Sequence, residues 1–136
     1  MTDNNLIRFA KITDQPHGSL TFIENSRDIP FDVKRVFYTY DFTNKSSRGG
    51  HAHRTLSEIV IALSGSFKVR IEFNGQVQNY LLDEPDVGLL IKPKTWLDLY
   101  DFSKDAVCLV LTSDFFSEKD YIRSYDEFKK IDLSQW

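Results

Sequence analysis

The chain is 136 residues long, 41% apolar and 14% aromatic, with a net charge of -3 at pH 7. It is long enough to bury a core without staples and too apolar for a disordered chain, and its acidic balance excludes a broad basic face for nucleic acid or anionic lipid. A lone cysteine permits no internal disulfide. The N-terminal "MTDNNLIRFAK" has no apolar leader core and no run approaches a membrane span, so the expected location is the cytoplasm.

Short β-type segments then follow one another, separated by turn signals: "LIRFA", "LTFIE" and "VKRVFYTYDF" come first. In the third, Arg35 shares strand phase with Phe31, Val33 and Phe37, so a charge interrupts an inward-looking apolar row. Such a charge needs a partner, either an anionic ligand or an acid such as Asp98 or Glu58. Tyr38 and Tyr40 lie on the opposite phase, where packing or a subunit contact is expected. Next comes "RGGHAH", with Arg48 in a Gly-flanked turn, followed by His51 and His53. Residues two apart on a strand project from one face, with Cα atoms about 6.5 Å apart, so both imidazoles can converge on one small ligand. The alternative is a pair of solvated loop histidines.

"EIVIALSG" follows, then "FKVRIEF-NG-QVQNYLL", where Asn74-Gly75 predicts a type I′ hairpin turn. "VGLLIKP", "TWLDLYDF" and "AVCLVLTS" complete the strands. Trp96 is expected to pack in the core, and Cys108 reads as a buried thiol. The tail changes character: Ser117 with Asp120 resembles a capping box, and Tyr121, Ile122, Tyr125 and Phe128 recur at helical spacing. A helix packed on the barrel is expected there. With no repeats and no linker, residues 1–136 read as one all-β domain, a sandwich or barrel with a short C-terminal helix.

"HAHRTLSEIVIALSG" fits the first cupin motif, His-x-His, four residues, Glu, six residues, Gly. With "GSLTFIE", "IPFDVKRVFY", "RGGHAH", "VGLLIKPKTW" and "DYIRSYDEFKK" in that order, nearly the whole chain resembles the nucleotide-sugar 3,4-ketoisomerases, the WxcM-like cupins. The resemblance implies a double-stranded β-helix (jelly-roll) barrel with its site at the mouth. It implies a homodimer with exchanged N-terminal strands, through which His17 reaches a neighbouring subunit's site. It also implies a dTDP-sugar substrate, dTDP-4-keto-6-deoxyglucose, in the synthesis of deoxysugars of the kind built into O-antigen and S-layer glycans.

Moving a ketone from C4 to C3 requires a base at C3, an acid at C4 or its oxygen, and donors for the enediolate; no cofactor is needed because the oxidation only migrates. Imidazole titrates near neutrality and serves as base or acid, so His51 and His53 are expected to share the proton transfers, with the division of roles open between them. Arg48, Arg35 and His17 are expected to bind substrate. No metal is expected, because the region that supplies a cupin's third histidine reads "PKTWLDLYD"; His51, His53 and Glu58 alone would make a three-ligand site, and Glu58 otherwise reads as a solvated rim residue. The competing readings are 3,5-epimerisation, which relies on a His-Asp pair and a Tyr acid, a non-catalytic sugar-binding cupin, and a metal-dependent oxygenase.

Overall fold

The computed structural model describes residues 5–131. Alternating apolar and polar residues fold most of them into short strands. The strands are β1 (Leu6–Arg8), β2 (Ala10–Asp14), β3 (Gly18–Phe22), β4 (Arg35–Thr39), β5 (Ser47–His53), β6 (Glu58–Ser64), β7 (Phe67–Phe73), β8 (Gln76–Leu82), β9 (Val87–Ile91), β10 (Trp96–Tyr100), β11 (Val107–Thr112) and β12 (Tyr121–Ile122). One helix, α1 (Tyr125–Lys130), follows them. Two five-stranded antiparallel sheets, ordered β1-β9-β6-β11-β4 and β12-β5-β10-β7-β8, form the cupin barrel. Phe67, Val69, Leu97, Leu99, Val60 and Val110 fill the space between them, each burial stabilising by about 1.5–3 kcal/mol.

The unbroken apolar run "IVIA" has a structural reason. In β6, Val60 and Ala62 face the barrel interior, whereas Ile59 and Ile61 face a second cluster with Phe9, Ile29 and Leu111. A strand buried on both faces loses its polar alternation. At the β7–β8 hairpin, Asn74 (φ 51°) and Gly75 (φ 78°) adopt the left-handed backbone that a type I′ turn requires. Trp96 is buried against Phe128 and Tyr125, and Cys108 is buried in the barrel.

The expected tail helix is shorter and starts later. Residues 118–120 form a single 3₁₀ turn, and Ser117 makes no side-chain cap. Tyr121 and Ile122 are instead strand β12, paired with His53 and Ala52 at the free edge of β5. Edge groups of β5 would otherwise be unpaired, and satisfying them outweighs one more turn of helix. Helix α1 begins at Ser124, whose hydroxyl accepts from the Glu127 amide at 3.2 Å.

Arg48, expected in a turn, lies within β5. Gly49 (φ 87°) and Gly50 (φ 70°) follow it, and the register with β10 slips there: Leu97 opposes His51, whereas Asp98 opposes Gly49. Gly50 is thus the extra residue of a bulge. A Cβ on Gly49 would stand 2.5 Å from the Leu97 carbonyl oxygen, so the close approach requires glycine.

Candidate active site

Alternation alone would send residues 48 and 51 to opposite faces of β5. The bulge shifts the phase by one, and Arg48, His51 and His53 line the same cavity, of about 260 Å³. Arg35 from β4 and Glu58 from β6 complete its polar lining, and Phe116 and Tyr121 close one side. Five cavity residues of charge or chemistry thus come from three strands of the two facing sheets, and each strand ladder holds its side chain in place.

The two imidazoles meet edge to face, with ring centroids 4.9 Å apart. Burial pushes His51 down to about 4, helped by the charge of His53, while a hydrogen bond with the Gly49 backbone works the other way. Burial also lowers His53, opposed by Asp120. Both rings are therefore held toward the neutral form at pH 7, each with a lone pair that can accept a proton.

Asp120 was not legible as a site residue. Its carboxylate accepts from the Thr55 amide (2.9 Å), the Thr55 hydroxyl (2.8 Å) and the Leu56 amide (3.2 Å), and lies 3.2 Å from Nδ1 of His53. Facing an acceptor, Nδ1 carries the ring proton and Nε2 carries the lone pair. Tyr121, read as part of a helical stripe, packs against both imidazoles at 4.9 and 4.3 Å instead. The signal for both residues lay in the sequence as "KDY", but only the strand pairing of residues 121–122 with β5 brings it to the histidines.

Arg35 points inward as its phase required. Its guanidinium stacks on Phe37 (4.5 Å) and Phe116 (5.3 Å), and no carboxylate lies within ion-pair distance of it among the described residues. Asp98, the acid considered for it, lies 3.8 Å from Arg70 instead. Glu58 is buried rather than solvated at the rim, only 4% exposed, because β9 and β11 flank it on both sides. His17 lies in the exposed turn between β2 and β3 and does not line the cavity of its own chain.

Donor atoms of His51, His53 and Glu58 lie within 4.8 Å of one another, near enough to touch one ion. Among the described residues no fourth His, Cys or carboxylate joins them, and Leu97 holds the inward position of β10 opposite His51. Nε2 of His53 and a buried carboxyl suit proton exchange at least as well, and we assign no ion to them.

Fold and site together define a cupin barrel whose interior holds a neutral histidine pair and two arginines. Residues 2–132 match the FdtA family, described as WxcM-like, C-terminal. The chain is 44% identical over 128 residues, 94% of its length and 91% of the relative's, to a TDP-4-oxo-6-deoxy-alpha-D-glucose-3,4-oxoisomerase of Aneurinibacillus thermoaerophilus. It superposes with a TM-score of 0.88 and 40% identity, covering 93% of each chain, on a His-to-Asn variant of the 3,4-ketoisomerase QdtA from Thermoanaerobacterium thermosaccharolyticum, solved with TDP-4-keto-6-deoxyglucose. A dTDP-4-dehydrorhamnose 3,5-epimerase from Bacillus anthracis shares the fold alone, at 13% identity, a TM-score of 0.73, and 85% of this chain against 75% of that one. The chain belongs to the WxcM-like (FdtA) family of sugar ketoisomerases.

Proposed function

We propose that this protein is a nucleotide-sugar 3,4-ketoisomerase that converts dTDP-4-keto-6-deoxyglucose to its 3-keto isomer in the cytoplasm, for deoxysugars such as those of O-antigen or S-layer glycans. The observation that carries the reading is the pair of neutral imidazoles meeting inside the cavity, with one of them backed by Asp120. His53 takes the C3 proton on Nε2, and the C3–H electrons become the C3=C4 bond of an enediolate with its charge on O4. The proton on O3 passes to O4, and C4 then takes a proton from an imidazolium, leaving the ketone at C3. Asp120 holds the His53 tautomer and stabilises its imidazolium, His51 serves the oxygens or C4, and Arg48 and Arg35 supply fixed donors to the diphosphate or the enediolate.

Incubation with dTDP-4-keto-6-deoxyglucose in D2O, followed by carbon NMR, tests this. The carbonyl is expected to move from C4 to C3, with deuterium appearing at C4, and turnover is expected to survive extensive chelation. A second reading has its own observation: His53–Asp120 beside Tyr121 contains the residue types of a 3,5-epimerase. A carbonyl that stays at C4 while C3 and C5 exchange would favour it, and activity lost to EDTA and restored by a divalent ion would overturn the metal-free mechanism.

The reading extends to a homodimer. Strands β2 and β3 form a separate two-stranded sheet with Ile12 and Leu20 more than half exposed, and β4 presents a stacked, exposed Tyr38–Tyr40 pair. Apolar surface of that kind on a detached hairpin suits exchange between subunits, with His17 at its tip serving the partner's cavity. Light scattering at micromolar concentration is expected to give twice the chain mass. A monomer would count against both the exchange and a substrate role for His17.

A further inference from the structure

One buried group on the cavity wall has no assigned work in that chemistry. Glu58 opens β6, between Ile91 of β9 and Thr112 of β11. Its Oε1 is the buried side-chain polar atom without a hydrogen-bond partner among the described residues, and it stands 3.6 Å from Nε2 of His53. The neighbouring Thr112 hydroxyl turns away, donating to the Asp114 carbonyl at 2.8 Å. The titratable and charged groups that face Glu58 are His51, His53 and Arg48 of β5, Arg35 of β4 and Cys108 of β11, with Asp120 beyond His53. No Arg or Lys nitrogen lies within ion-pair distance of it among the described residues. An ionised carboxylate would leave the buried Oε1 charged and without a donor, whereas a carboxylic acid is neutral and carries an O–H facing the lone pair of Nε2.

We propose that Glu58 works as an uncharged acid: its carboxyl faces Nε2 of His53 across 3.6 Å, and its O–H is available to an enediolate oxygen when the sugar binds. The first half stands on geometry alone, and the second rests on the ketoisomerase reading. Burial supports it, pushing the carboxyl up to about 7 against the opposing charge of Arg35. Above that pH, ionisation sets a second negative charge beside the enediolate and removes the donor, so activity falls on the alkaline side.

Glu58→Gln tests this, because an amide keeps a donor and is neutral at every pH. Its pH–rate profile is expected to lack the alkaline limb on which the parent loses about tenfold per pH unit, whatever its rate at about pH 6.5. A folded-state carboxyl raised above its unfolded value loses stability as pH rises from about 4.5 to about 7. The melting temperature of Glu58→Gln is therefore expected to gain on the parent between acidic and alkaline buffer, a readout that needs no substrate. An alkaline limb shared by both proteins, or a pH-independent melting difference, would overturn the proposal. So would a stoichiometric divalent ion in the purified parent, which would hold Glu58 as a carboxylate.

Discussion

His53→Asn is expected to lower turnover by about 10²- to 10⁴-fold while changing TDP affinity little, and His51→Asn to fall in or near that range. Asparagine roughly preserves size and polarity, so the cavity persists, but an amide accepts no proton at neutral pH. The double variant is expected to be little worse than the worse single, because both rings act on one enediol and residues acting as a unit are non-additive. Deuterium exchange separates the two. Without the C3 base, exchange of the C3 hydrogen stops; without the group serving O4 or C4, exchange persists while product does not form. Because burial holds both rings below their ordinary value, the acidic limb of the parent's profile is expected below pH 6.5, with His51 itself protonating at about 4. Near-normal turnover in either variant would remove that histidine from the mechanism.

Asp120→Ala is expected to damage both stability and rate. Its carboxylate collects the Thr55 amide and hydroxyl, the Leu56 amide and Nδ1 of His53, tying the turn after β5 to β12. Leaving those donors unmet costs about 1–3 kcal/mol for each one that water does not reach, so a fall of roughly 2–4 kcal/mol in unfolding free energy is expected in denaturant melts. Asp120→Asn isolates the chemical role, since it keeps an acceptor oxygen for one or two of those donors. Its kcat is expected to fall about 10²-fold or more, because the imidazolium of His53 loses its counter-charge and the tautomer is no longer enforced. Asp120 raises His53, so removing its charge lowers the ring further and moves the acidic limb of the pH profile to lower pH. A merely structural role would lower stability and leave that limb in place.

The inward phase of Arg35, the Asn74-Gly75 turn, the burial of Trp96 and Cys108, and the same-face placement of His51 and His53 are consequences of period-two geometry and turn chemistry. Such features depend on neighbours within a few residues, so local pattern reports them. The helical stripe from Tyr121 to Phe128 misled for the same reason. Its spacing is real, yet an open strand edge 68 residues away, counting from His53 to its partner Tyr121, captured its first part.

The sequence by itself determined the β-rich class, the inward phase of Arg35, the histidine pair and the absence of a histidine from "PKTWLDLYD", all written in local periodicity or in the motif, and its resemblance to the cupin ketoisomerases implied the barrel. Only the tertiary structure decided that a bulge at Gly50 turns Arg48 onto the histidine face and that Asp120 and Tyr121 stand against His53. Only it decided that Glu58 is buried with its Oε1 unpartnered among the described residues. Each of those outcomes is a meeting of segments distant along the chain, set by sheet register and edge pairing, and no period within a strand encodes which remote group arrives at its side.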